Sequence, residues 1–178
     1  MERTPLNTRD RFAGYSPVSI LLHWLTAVAV VTLFLTHEDE FAAIHLGIGI
    51  LAIPLFLFRT GWRVARGYPR ITDQPAIFNF AARLVTLAFL LCILTVSVTG
   101  LAIPPLEGDP IAFFGLGAVT VPMQPNRALA EIFGEAHDLA GHAFLPLVAL
   151  HILGALKHHF IDRDAVLVRM FRPVARGK

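Results

Sequence analysis

Four apolar stretches, at residues 17–36, 43–62, 78–103 and 130–157, occupy most of this 178-residue chain. Each is close to the ~20 residues that a helix needs to cross the hydrocarbon of a bilayer. In that solvent every backbone polar group must be satisfied internally, which leaves helices and closed barrels as the spanning structures. Long unbroken apolar runs, rather than ten-residue alternations, select helices. A hydrophobic fraction of 55% and a mean hydropathy of +0.62 agree. The expected fold is an all-α membrane protein, an antiparallel bundle of four transmembrane helices. One domain over 1–178 would use nearly the whole chain. The first stretch is too long for a signal-peptide core and has no small-residue cleavage site after it, so it reads as a retained helix. Cys92 is the only cysteine, which excludes a disulfide framework and a thiolate cluster.

Charge orients the bundle. The N-terminal segment, the link between the second and third stretches, and the C-terminal segment together hold fourteen of the fifteen Lys and Arg residues. Arg127, in the third–fourth link, is the exception. The first–second link carries His37 and the acidic run Glu38, Asp39, Glu40. The positive-inside rule then puts both termini of this multi-pass protein in the cytoplasm; the other two links face the opposite side, which is the periplasm if the protein lies in the inner membrane of a Gram-negative bacterium. Trp24, Trp62, Tyr15 and Tyr68 fall near the inner boundary, where amphipathic rings settle. Pro69 and Pro75 break the inner link. Pro104 and Pro105 are expected to stop the third helix, and Pro54 and Pro146 to kink the second and fourth. The long outer link contains Ile111, Phe113, Phe114, Leu116 and Val119, so it is expected to lie on the outer rim as a short interfacial helix or re-entrant turn.

Four histidines, His23, His45, His137 and His151, sit inside these apolar stretches, where ionisable residues are costly and usually functional. His137 and His151 are fourteen residues apart, ~21 Å along a helix and nearly four full turns, so they share a face. His23 lies six residues into the first span from the inside and matches His151 in depth. His45 opens the second span from the outside and matches His137. Two bis-histidine sites at two depths suit two stacked b haems, each iron held by two imidazoles. A closed zinc site would instead bring its ligands to one point. The iron-ligand candidates are therefore His23 and His151 for an inner haem, His45 and His137 for an outer one. Gly47, Gly49, Gly141 and Gly154 leave room either for a flat macrocycle or for close helix packing. His37 shares a face with His23 and rivals His45, but its acidic neighbours suggest that it has left the membrane. His142 lies about 140° from His137 and reads as a packing or interface residue, and His159 as solvated.

These residues together resemble the bacterial cytochrome b561 family. The matching features are Ser19-Ile20-Leu21-Leu22-His23-Trp24, Ile44-His45 followed by Gly49, the pair Arg59 and Arg63, and Gly100 near the end of the third span. The outer link adds Asp109-Pro110 and Phe113-Phe114-Gly115-Leu116. His137, Leu150-His151 and His158-His159-Phe160 complete the pattern, which keeps its order along nearly the whole chain. In the stand-alone branch of that family, the resemblance implies, superoxide is oxidised to oxygen and ubiquinone is reduced to quinol through two b haems. The alternative is an electron-transfer subunit for a partner dehydrogenase or hydrogenase. A protein redox partner is compatible with either reading, a nucleic acid with neither. On this reading Arg59, Arg63 and Arg83 would hold haem propionates or a quinone headgroup, because guanidinium pairs carboxylate bidentately. His158, two turns beyond His151, and Trp24 would form the inner quinone site. Arg127, the one fixed cation of the outer link, would draw in an anionic donor.

Overall fold

The computed structural model describes residues 15–66, 76–163 and 165–172. Arg3, Arg9, Arg11, Tyr68, Pro69, Arg70, Pro75, Arg176 and Lys178 lie outside the described residues. Helix α1 runs Pro17–Leu35, α2 Ala42–Arg66, α3 Ala76–Glu107 and α4 Arg127–Phe160. All four are long and apolar enough to span a membrane. Most large apolar side chains point outward, among them Leu21, Val28, Leu57, Leu87, Leu139 and Leu153. An outward apolar surface is stable only against hydrocarbon. The interior is where polar groups appear: Ser19, Thr26 and Thr99 are buried beside Leu22, Phe56, Leu106 and Phe144.

Local chemistry sets the helix ends. Ser16 caps α1 by accepting the Ser19 backbone N–H at 3.2 Å, with Pro17 opening the first turn, where its missing N–H costs nothing. Asn126 caps α4 through the Leu129 N–H at 3.1 Å, and its own N–H donates to the Leu106 carbonyl at 2.8 Å. That bond ties the start of α4 to the end of α3.

Two expectations at this end are overturned. The third helix does not stop at Pro104 and Pro105, which form part of its last turns. Proline keeps a helical φ, and each one only frees a single carbonyl four residues back, those of Gly100 and Leu101. Termination comes at Gly108, whose φ of +96° lets the N–H groups of Gly108 and Asp109 both return to the Pro104 carbonyl, at 3.1 and 2.8 Å. The outer link is also neither an interfacial helix nor a re-entrant turn. It is an antiparallel hairpin of β1 (Ile111–Phe113) and β2 (Gly117–Val119), in the register Ile111↔Val119. The Leu116 N–H donates to the Phe113 carbonyl at 2.9 Å, and both residues between them, Phe114 and Gly115, have positive φ. This is the turn sense that matches strand twist. Leu116 is 88% exposed at its tip.

Neighbours in sequence are neighbours in space: α1 packs on α2, α2 on α3, and α3 most extensively on α4. The hairpin lies over the outer end of α2. Its Phe114 ring covers Gly47, where an added Cβ would come within 2.6 Å of the ring. Gly47 therefore makes room for Phe114. Gly49 faces Leu33 of α1, whereas a Cβ at Gly141 or Gly154 would meet nothing within 4 Å.

Candidate cofactor site: two stacked histidine pairs

Helix α4 faces α1 and α2 through two pairs of imidazoles. The ring centres of His23 on α1 and His151 on α4 are 6.0 Å apart, with planes at 54°. Those of His45 on α2 and His137 on α4 are also 6.0 Å apart, at 68°. A His nitrogen–metal bond of ~2 Å on each side, plus the distance from each nitrogen to its ring centre, would put the centres of two imidazoles sharing one metal about 6 Å apart. Both pairs have the separation that one metal between two rings requires.

The second ring nitrogen of each histidine decides whether the first is free to ligate. The Nδ1–H of His45 donates to the Leu33 carbonyl at 2.9 Å. The Thr99 hydroxyl donates to the Thr95 carbonyl at 2.7 Å, so at 3.0 Å from His137 it accepts that ring's Nδ1–H. Both outer rings therefore present an Nε2 lone pair, and the outer pair fits a haem iron. The inner pair differs. The guanidinium of Arg59, which only donates, reaches His23 Nδ1 at 3.1 Å. A neutral His23 then carries its proton on Nε2. Iron ligation by His23 as a neutral imidazole requires Arg59 to move from Nδ1, and a carboxylate is the natural alternative partner for it. The inner pair fits in ring separation and needs this one rearrangement in its surroundings. Phe89 of α3 stands edge-on to His151 at 5.8 Å and packs on Phe144.

Of the other arginines proposed for the inner site, Arg63 lies over the Tyr15 ring at 5.0 Å, while Arg83 is exposed on α3. His158 is half-buried and faces Asp162, with Nδ1 3.1 Å from Oδ2. Lys157 donates to both oxygens of the same carboxylate, at 2.9 and 2.7 Å. The Trp24 indole N–H donates to the Met170 carbonyl at 3.0 Å, and the ring packs on Phe171 at 5.1 Å. The C-terminal segment thus closes over one face of Trp24.

Among the described residues most basic side chains belong to the end of the bundle beyond His23 and His151, and most acidic ones to the opposite end, called outer here from the charge expectation. Glu38, Asp39, Glu40, Glu107, Asp109, Glu131, Glu135 and Asp138 make eight of the chain's thirteen carboxylates. Arg127 opens α4, ten residues and ~15 Å beyond His137. It lines a cleft of about 560 Å³ with Glu107, Asp109 and Glu131. With three carboxylates to one guanidinium, the cleft repels an anion. These neighbours oppose the attraction of an anion expected from Arg127; Glu107 and Asp109 lie in the same link and Glu131 one turn into α4.

Sequence reasoning missed Thr99, the Leu33 carbonyl and Asp162. A buried threonine is not distinguishable in sequence from those that bond only their own helix, as Thr32 and Thr86 do here. Asp162 is four residues after His158, a spacing that brings side chains together on a helix and was open to notice.

Four membrane-spanning helices enclosing two stacked histidine pairs define a membrane cytochrome of the b type. The chain belongs to the prokaryotic cytochrome b561 family, whose model matches residues 14–173. It is 31% identical to cytochrome b561 homolog 2 of Escherichia coli, over 92% of this chain and 93% of that one. It is 26% identical to the probable superoxide oxidase CybB of Yersinia pestis, over 92% and 98%. Cytochrome b562 of Cereibacter sphaeroides is 27% identical, over 90% and 96%. As a member of this family the chain is a bacterial membrane protein that carries haem b and transfers electrons.

Proposed function

We propose that the chain holds two b haems, one at His45–His137 and one at His23–His151, and carries electrons from an outer donor to ubiquinone at the inner end. The observation that carries this reading is the repetition of one histidine-pair geometry at two depths along α4. When bound, the two haems supply reversible one-electron chemistry at two points on the transmembrane axis. The protein's part is to fix the rings. Leu33 and Thr99 orient the outer imidazoles, and Phe89 and Phe144 exclude water beside the inner ones. Arg59 supplies positive charge for an inner propionate.

Reduction of a quinone to quinol takes two electrons and two protons. His158 fits the proton step: its Nδ1 faces the Asp162 carboxylate, which Lys157 holds, and an imidazole so oriented can relay protons toward a quinone oxygen. Trp24 offers its indole near the same membrane level.

Superoxide is the small donor favoured by the similarity to the probable superoxide oxidase. A second reading, a cationic or protein-borne donor such as a partner dehydrogenase, is favoured by the eight carboxylates of the outer end, which slow the approach of an anion and speed that of a cation. One experiment separates these readings. Purified holoprotein is mixed with superoxide and with ubiquinone, and haem reduction and quinol formation are followed together. Rapid reduction coupled to quinol supports superoxide. Haems that superoxide leaves oxidised, but that quinol reduces, leave the partner reading standing.

A further inference from the structure

A third histidine pair joins the segment after α1 to the middle of α4. His37 follows the end of α1, His142 is on α4, and their ring centres are 6.2 Å apart at 90°. Phe34 lies against both, stacked on His37 at 5.3 Å and edge-on to His142 at 6.5 Å. Each imidazole has its Nδ1–H committed to a backbone carbonyl: His37 donates to Phe34 at 2.7 Å, His142 to Asp138 at 2.8 Å. A carbonyl only accepts, so in each ring when neutral the proton is on Nδ1 and Nε2 carries the lone pair. This is the arrangement by which proteins prepare histidine to bind a metal. Beside His37 Nε2, at 3.4 Å, is the Glu38 carboxylate. Glu40 and Asp138 add negative charge at the same end, and both are exposed.

We propose that His37 and His142 form a site for a divalent transition-metal ion of the copper or zinc class, separate from the two haem sites. Two imidazoles at this separation match ions that prefer nitrogen donors. Among the described residues no three His, Cys, Asp or Glu side chains converge on one point, so the ion keeps open positions for water. Glu38 partly neutralises its charge, and the acidic surroundings raise the local concentration of cations. Hard ions such as magnesium and calcium, which take oxygen ligands, are excluded by the donor set. A bound ion would join the segment after α1 to α4. It would thereby brace the end of α1, whose Leu33 carbonyl orients His45.

The test uses the full holoprotein with Cu(II) alone and Zn(II) alone. Equilibrium dialysis with metal analysis is expected to give one ion per chain at this site, with Cu(II) held more tightly than Zn(II). Electron paramagnetic resonance of the Cu(II) form should show two nitrogen donors. His37→Gln and His142→Gln should each abolish this ion while haem content and the visible spectrum stay unchanged. Zn(II) should raise the thermal midpoint of the parent protein and of neither variant. Absence of binding would overturn the proposal. So would retention of the ion in either variant, which would put it on other ligands. Because haem content is read independently, loss of the metal site is distinguishable from failure of the haem assignment.

Discussion

The hydroxyl of Thr99 on α3 lies 3.0 Å from Nδ1 of His137 on α4, and because it donates to the Thr95 carbonyl it accepts the imidazole proton. Thr99 is 5% exposed, so no water substitutes for it. Such a bond fixes the ring and raises its basicity as a ligand. Basicity favours the ferric state, so removing the bond should raise the midpoint potential of the outer haem. Thr99→Val keeps the shape and deletes the acceptor. Haem should be held about tenfold less tightly at that site, with the inner haem untouched, and Thr99→Ser should restore both values. A potentiometric titration that resolves two haems checks this. An unchanged pair of midpoints in Thr99→Val would leave Thr99 a packing residue only.

Haem stoichiometry follows from the ring pairs. Pyridine haemochrome analysis should give two haems per chain. His45→Ala and His137→Ala should each remove the same haem, and His23→Ala and His151→Ala the other. A total of one haem, or loss of different haems within a pair, would break the assignment.

Gly47 and Phe114 form a contact between α2 and the hairpin that admits no side chain at 47. Phe114 holds a φ of +52°, unfavourable for an L-residue by ~1–2 kcal/mol, and its packing on Gly47 offsets that cost. Gly47→Ala should destabilise the protein by about 1–3 kcal/mol, the usual effect of overpacking. Much of this should be relieved in the Gly47→Ala, Phe114→Ala pair, as read by thermal unfolding of the parent, the two single variants and the double variant. Additive losses would mean that the two residues do not touch in the membrane.

How far the sequence reaches is visible in these same residues. The four spans and the depths of His23, His45, His137 and His151 follow from hydropathy, charge and the 1.5 Å rise of a helix. Helix continuity through Pro104 and Pro105 did not, because proline's φ is compatible with a last turn and only the position of Gly108 decides the end. Nor did the hairpin: three-residue strands are too short to show a period. The partner of Gly47 is 67 positions away in sequence, and the carbonyl and hydroxyl acceptors of His45 and His137 come from other helices. Such contacts are products of packing, and no local pattern announces them.

Arg59 lies 3.1 Å from His23 Nδ1, close enough that its charge acts on an inner haem whichever group it pairs with. A nearby cation stabilises the reduced, less positive iron centre. Arg59→Gln should therefore lower the inner midpoint while leaving two haems per chain. Arg83→Gln, at an exposed position on α3, should change it little. Equal shifts from both variants would point to a general surface field.

Ionic strength provides the sharpest reading of the outer end. The cleft that holds Arg127 also holds Glu107, Asp109 and Glu131, and the rest of that end adds further carboxylates. A small anion approaching it meets repulsion, which salt screens over about 8–10 Å near physiological strength. The rate of haem reduction by superoxide should therefore rise with added salt. Arg127→Glu should slow it at low salt, and Glu131→Gln should speed it. A cationic protein donor would give the opposite signs in all three measurements, because the same carboxylates would then steer it in. Stopped-flow rates at a series of salt concentrations decide between them. A superoxide rate that falls as salt is added would mean that the anion enters along a path these carboxylates do not govern.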